Sequence, residues 1–300
     1  MGAFWPVNTH PIRGSGYRFA LIIASMRCVL PVLVICGAVA AAPVPDSLRA
    51  SLSFHASFDK SLDAEFARGD RRIYSAPDFK QQSSAKPGLG DVDAAIEKSA
   101  GIAGGDALRF RSKNTRALFF RGDRHVALAR GTISFWLRLD PQKDLAPGFS
   151  DPVQITDKKY NDSAIWMDFT KDDVPRHFRL GVFGSLNAWN PANLPPETNP
   201  DFLRRLVVVD RPPFSREGWT HVAVTWAGLD AGGAGSASLF LNGKLISSAT
   251  GIREAFEWDL SRVSIRLGVN YTGLMDEVAL FDRALSAPDI AAMYLAGSGQ

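Results

Sequence analysis

The sequence predicts an all-β fold: two antiparallel sheets packed as a sandwich, with one short C-terminal helix. Three observations predict it. Residues 219–292 run through three strand patterns, one hairpin turn and one capped helix with almost no filler. Residues 131–140 (GTISFWLRLD) alternate as a single strand. No internal repeat, coiled coil or low-complexity tail interrupts these patterns.

In residues 219–226 (WTHVAVTW), Val222, Val224 and Trp226 fall on one side of an extended chain, with His221, Ala223 and Thr225 on the other. Asn242-Gly243 then separates two apolar runs. A type I′ turn needs positive φ at both central residues, which Asn-Gly accepts. A two-residue loop sets Leu241 opposite Lys244, Phe240 opposite Leu245 and Leu239 opposite Ile246. Both faces of that hairpin are apolar, so both are expected to be covered. Residues 262–268 alternate again, with Val263, Ile265 and Leu267 together. Residues 273–281 (GLMDEVALF) divide into Leu274, Asp276, Val278 and Leu280 on one face, and Met275, Glu277, Ala279 and Phe281 on the other. Ser286 is then a helix N-cap, Pro288 suits the first turn, and Asp289 stands at the capping-box position. Ile290, Met293 and Tyr294 give this helix an apolar side.

Upstream, residues 52–58 (LSFHASF) read as the first strand, and residues 108–110 and 117–120 as a pair of short strands. Residues 131–140 place Ile133, Phe135, Leu137 and Leu139 on one face and Ser134, Trp136 and Arg138 on the other, and Pro141 stops the strand. Residues 141–215 form an irregular insertion. It holds strand candidates at 153–156, 164–169, 178–183 and 206–209. The Asn- and Pro-rich stretch 186–200 is expected to stay out of the core.

Taken as an ordered set, residues 219–226, 239–243, 273–278 and 281–286 resemble a LamG-like jelly-roll domain of the concanavalin A-like lectin/glucanase superfamily. Such domains carry a W-x-H-V-A-V-T-W strand, an L-x-x-N/D-G hairpin, G-x-x-D-E-V, an aromatic followed by R-A-L-S, and a short helix. The match covers the last quarter strongly and extends more loosely to residues 52–59 and 131–140. The resemblance implies a jelly-roll sandwich used mainly for binding.

Residues 1–42 differ in character from the remainder. They hold Arg13, Arg18 and Arg27, no acid, and an apolar run ending in Ala38-Val39-Ala40-Ala41-Ala42. A charged start, a short apolar core and an A-x-A site form an export-signal pattern, with cleavage after Ala40 or Ala41. Met26 is an alternative start, and an uncleaved anchor an alternative reading. Cys28 and Cys36 both lie inside this segment, so residues 43–300, read as one domain, have no cysteine. Cys36 follows a lipobox-like run, although Ile35 is large for that pattern. The chain has 34 basic and 31 acidic residues; without the three arginines the balance is 31 against 31. A neutral domain offers no electrostatic case for nucleic acid.

Chemistry-bearing motifs are sparse. Retaining laminarinase-type glycosidases on this fold use E-x-D-x-x-E on a central strand, with nucleophile and acid/base in one cleft; the chain has no such motif. Asp276 and Glu277 are adjacent, so on a strand they face opposite sides and cannot act as a catalytic pair. H-E-x-x-H, G-x-S-x-G and P-loop motifs are absent, and His221 reads as structural. The resemblance implies a calcium site near the first and last strands, at Asp59 and Asp276 with Asp63 as a further ligand. The competing reading is that these acids only tie local backbone. A sugar ring packs on an aromatic face while its hydroxyls need polar partners. Trp189 between Asn187 and Asn190 has that composition, and Trp136 could line a cleft.

The sequence therefore leads to an exported, non-catalytic module that binds a carbohydrate or a cell-surface partner. A diverged polysaccharide hydrolase or lyase, and a structural envelope module, are the alternatives.

Overall fold

Two strands set the centre of the first sheet. Arg130–Arg138 and Thr220–Ala227 pair residue for residue along eight positions, from Leu137 opposite Thr220 to Arg130 opposite Ala227. Both were legible from their alternation. The computed structural model describes residues 44–230 and 233–299. The export-signal reading, Met26, Cys28 and Cys36 lie outside the described residues.

The first sheet runs in the order Lys244–Ile252, Gly235–Leu241, Thr220–Ala227, Arg130–Arg138, Gly273–Phe281, Leu52–Ala56 and Phe66–Ala67. Ala107–Phe110 also pairs with Gly273–Phe281, and Ala94–Glu97 pairs with it in turn. The second sheet runs Leu206–Val209, Phe178–Phe183, Ala164–Phe169, Ser150–Thr156, Ser264–Val269, Ala117–Arg121, Ile73–Ala76 and Lys86–Pro87. The two faces meet in one large core. Phe54, Phe135, Val222 and Val224 come from the first sheet, and Phe120, Ile155, Met167, Leu180 and Ile265 from the second. This is the predicted two-sheet antiparallel sandwich.

The C-terminal helix, Ala287–Ser298, has the predicted capping box. The Ser286 hydroxyl accepts from the Asp289 N–H at 3.3 Å, and the Asp289 carboxylate accepts from the Ser286 N–H at 3.0 Å. Ile290 and Met293 pack on Ala223, Phe240, Ala279 and Phe281, covering the outer side of the first sheet.

Several local expectations need correction. Asn242 and Gly243 have φ of 48° and 75°, as a type I′ turn requires. Leu241 faces Lys244 and Phe240 faces Leu245, but a register shift then sets Leu239 opposite Ser247 rather than Ile246. Lys244–Ile252 is an edge strand, so Leu245 and Ile246 stay exposed. The two short strands at 107–110 and 117–121 do not pair with each other; they belong to different sheets. The insertion at 141–215 supplies four neighbouring strands of the second sheet. The 186–200 stretch also packs, because Trp189 joins Trp166, Phe183 and Phe202 in a separate apolar cluster.

One strand departs from alternation. Met275, Val278 and Leu280 enter the main core, a spacing of three and then two. The pairing with Arg130–Arg138 slips between Asp276 and Ala279, and Glu277 has φ of 54°. A bulge thus sits at Asp276-Glu277. Holding a non-glycine residue there costs about 1–3 kcal/mol.

Candidate functional site

Alternation along the second sheet sends one set of side chains into the core and another outward. Ile165, Met167 and Phe169 point inward, so Trp166 and Asp168 lie on the outer face. Phe178 and Leu180 point inward, which places Arg179 outward, directly opposite Asp168. Val153 and Ile155 point inward; Gln154 lies between them, opposite Trp166 and Arg266. Beyond Val153 the register slips: Met167 faces Val153, but Phe169 faces Ser150. This irregularity brings Asp151 onto the outer face, where its carboxylate accepts from Gln154 Nε2.

The result is a charged row across four strands. Arg179 donates from Nε to Asp168 Oδ1 at 2.8 Å and from Nη2 to Oδ2, a two-point pairing of a carboxylate that is 4% exposed. Arg266 donates from Nη1 to Gln154 Oε1 at 3.4 Å and from Nη2 to the Lys158 carbonyl at 3.0 Å. Burial lowers the Arg266 pKa to about 10. Burial, with the Asp168 charge beside it, pushes the Asp151 carboxyl up to about 8. At neutral pH Asp151 therefore holds a proton, and it can donate as well as accept a hydrogen bond.

Over this row opens a cavity of about 340 Å³. Trp166, Asp168, Arg179, Gln154 and Asp151 form its floor, and Phe202, Leu203, Val269 and Asn270 its walls. Phe149 and Tyr160 stand at its rim, 39% and 43% exposed. Trp166 stacks on Phe183 with ring centroids 5.8 Å apart and donates Nε1–H to the Tyr160 carbonyl at 2.7 Å. The floor thus positions the rim. Apolar rings beside a few convergent polar groups can pack C–H surfaces and bind hydroxyls together.

The tryptophans singled out in the sequence lie elsewhere. Trp136 is 4% exposed beneath the C-terminal helix, stacked on Tyr294 at 5.7 Å. Trp189 is 4% exposed; its Nε1–H bonds the Asn161 carbonyl at 3.0 Å, and Arg205 lies over its ring. Both rings are therefore already covered by protein. The Asn190 side chain bonds the backbone of Leu194 on both sides, and Asn187 is exposed. Trp189 nevertheless supports the cavity, since it packs with Trp166 and Phe202. The sequence held a signal for the real floor. Trp166 and Asp168 are two apart in a strand, and Arg179 sits between two inward residues of the next.

The acids implied by resemblance separate into two places. Asp59 and Asp276 meet at one loop. Asp106 N–H donates to Asp59 Oδ1 and Ile102 N–H to Asp276 Oδ2, each at 2.8 Å. A Cβ on Gly101 would stand 2.7 Å from Asp276 Oδ2, and one on Gly105 would stand 2.3 Å from Asp59 Oδ1, so the wrap needs glycine at both. Asp63 lies apart from them in bonding, accepting from the Ile73 N–H at 3.0 Å. Glu277 lies 2.5 Å from His55 Nε2. Burial, then the neighbouring Glu277 charge, pushes Asp276 up to about 9, and Asp59 adds to this. Glu277 is also raised by burial, against the pull of His55. Asp59 bears on both acids. The bulge has thus undone the strict alternation expected of this pair. Among the described residues no group of three or more His, Cys, Asp or Glu side chains is arranged to hold a metal ion. Backbone N–H groups donate to Asp59 Oδ1 and to both Asp276 oxygens, and carboxylate oxygen is the donor type that calcium takes.

Comparisons with known proteins support the fold. Residues 113–291 match the family model described as the concanavalin A-like lectin/glucanases superfamily. No curated protein matches in sequence. Among solved structures, domain 4 of AbnA, a GH43 extracellular arabinanase from Geobacillus stearothermophilus, aligns with a TM-score of 0.51 and 16% identity. That alignment covers 81% of this chain and 98% of that one. The binding domain of Paraclostridial Mosquitocidal Protein 1 aligns at 0.52 and 14% identity over 82% of this chain and 52% of that one. Trypanosoma rangeli sialidase aligns at 0.50 and 15% identity over 82% of this chain, which spans 33% of the enzyme. At these identities the likeness is one of fold. With more than half its length matched by the family model, this chain belongs to the concanavalin A-like lectin/glucanases superfamily.

Proposed function

We propose that the protein is an exported, non-catalytic module that binds carbohydrate in the cavity on the outer face of its second sheet. One observation carries the reading: aromatic rim residues Phe149 and Tyr160 stand over a floor of converging polar groups, Asp151, Gln154 and Arg179. That domain 4 of the arabinanase was solved with arabinotriose is consistent with it. The charged start and A-x-A ending of residues 1–42 support export.

A glycan array probed with the protein tests this, followed by calorimetry on its best-bound oligosaccharide. Replacing both Phe149 and Tyr160 by alanine is expected to weaken binding about ten-fold, since each ring contact contributes on the order of 0.5–1.5 kcal/mol. Undiminished binding by the double variant, or an array with no bound glycan, contradicts the reading.

A hydrolase is the second reading, and one feature favours it: the protonated Asp151 shares its cavity with Asp168. Arg179, however, occupies both Asp168 oxygens, which leaves no free nucleophile or base beside the acid. Reducing-sugar release that disappears in Asp151→Asn would favour the hydrolase.

Calcium belongs to the same proposal as a structural ion. Asp59 and Asp276 would hold it, and it would neutralise buried carboxylates and fasten the 101–106 loop to the last strand.

A further inference from the structure

A second cavity, of about 300 Å³, opens on the same face of the second sheet. Its lining differs in charge from the first. Lys80, Arg121 and Arg262 are exposed at its edge, with Asp157 the one carboxylate in the lining. Lys80 and Arg262 make no side-chain hydrogen bond or ion pair within 4 Å among the described residues. Arg121 is 3.9 Å from Asp70 and lies over the Tyr74 ring at 4.7 Å, so it is held in place. Phe79 and Phe119 supply apolar surface. Asp157 Oδ1 is buried without a hydrogen-bond partner, while Oδ2 accepts from the Asp259 N–H at 3.2 Å.

The buried Arg266 side chain lies between the two cavities. Its guanidinium bonds Gln154, in the floor of the first, and lies 4.4 Å from the ring centre of Phe79, in the second. Gln154 and Asp157 are three residues apart along one strand and its end, roughly 10 Å at the rise of an extended chain. A short oligosaccharide spans that distance. One ligand can therefore meet an aromatic, polar subsite and a cationic one in succession.

We propose that the two cavities are consecutive subsites for an acidic polysaccharide. A sugar ring lies at the Phe149–Tyr160 rim, and an anionic substituent on a neighbouring unit lies between Lys80, Arg121 and Arg262. This inference rests on the carbohydrate-binding reading above and adds the ligand's charge. Carboxylate and sulfate share the chemistry required, and exposed cations attract either.

The test is affinity electrophoresis of the protein in gels containing polygalacturonate, carboxyl-reduced polygalacturonate, dextran sulfate or dextran. Wild type is expected to be retarded at least ten-fold more by one acidic polymer than by its neutral counterpart. Which pair responds separates carboxylate from sulfate. The Lys80→Ala/Arg262→Ala variant, which removes no side-chain hydrogen bond or ion pair within 4 Å among the described residues, is expected to lose that preference and to keep its melting temperature. Equal retardation by acidic and neutral polymers overturns the inference but leaves the function reading intact if the Phe149/Tyr160 variant still loses binding. Retention of the preference in the Lys80/Arg262 variant overturns it, as does retardation by none of the polymers. Binding that depends on Lys80 and Arg262 but not on Phe149 and Tyr160 overturns the shared groove and the function reading together.

Discussion

Two clusters of buried carboxylates occupy this sandwich, and they are neutralised differently. On the outer face of the second sheet, Asp168 is paired at two points by Arg179, and Asp151 is protonated beside it. That cluster is balanced by the protein's own arginine and opens into a cavity. In the first sheet, Asp276 and Glu277 sit on a bulge with Asp59 nearby and His55 bonded to Glu277. That cluster is closed over by the glycine loop and has no arginine: His55 bonds Glu277, and burial holds the proton on Asp276 at neutral pH. An arginine-paired cluster can face a neutral ligand, whereas a cation at the second cluster would have to displace the Asp276 proton.

The largest expected effect concerns the balanced cluster. Arg179→Met leaves Asp168 buried without its partner, and breaking such a pair costs about 3–5 kcal/mol. Urea denaturation checks this; a loss under 1 kcal/mol would mean that Asp168 is solvated or neutral without the arginine. The acidic cluster supplies the contrasting test. At calcium concentrations about a hundred times the dissociation constant, binding stabilises by about 2.7 kcal/mol. For a domain of this size that is a rise of about 5–10 °C in Tm. Asp276→Asn is expected to abolish the rise, and a wild-type Tm indifferent to calcium and chelator would remove the ion from the account.

A smaller effect isolates the backbone at the bulge. Glu277→Ala and Glu277→Gly both lose the carboxylate, but only alanine keeps the cost of φ near 54°. The glycine variant is expected to be more stable by about 1 kcal/mol. Equal stability would mean the bulge relaxes once the side chain is gone.

The remaining effect is a slope with pH rather than a single difference. In the unfolded chain Asp151 ionises near the ordinary aspartate value of 3.8, but in the folded chain near 8. The folded state holds a proton that the unfolded state releases. Its contribution to stability is full below about pH 4 and is lost as pH rises through 8. Asp151→Asn is expected to flatten the stability–pH profile between those values, leaving the decline due to Asp276, which extends to about pH 9. An unchanged profile would show that Asp151 ionises normally.

The same contrast explains what was legible in the sequence. The strands at 130–138 and 220–227 alternate without interruption, so their faces could be read directly. The Asn242-Gly243 turn and the Ser286–Asp289 capping box are local chemistry and held. The two clusters depend on interruptions of that regularity. A register slip turns Asp151 outward, and a bulge brings Asp276 and Glu277 under the influence of Asp59. The first slip has a mark in Pro152, a residue that strands admit at edges and bulges, whereas the second has no glycine or proline at Asp276-Glu277. Trp189 shows a second limit: its polar neighbours suggested a ligand platform, but only tertiary packing reveals that Phe183, Phe202 and Arg205 already cover the ring. Cationic Lys80 and Arg262 lie 182 positions apart, a juxtaposition that pattern alone does not contain.

The claim that the outer-face cavity is the sugar site is tested most directly by a crystal structure with the best-bound oligosaccharide from the array. The account predicts a sugar ring against Phe149 and Tyr160, with hydroxyls bonded to Asp151, Gln154 or Asn270. A sugar seated elsewhere, with that cavity filled only by water, would contradict it.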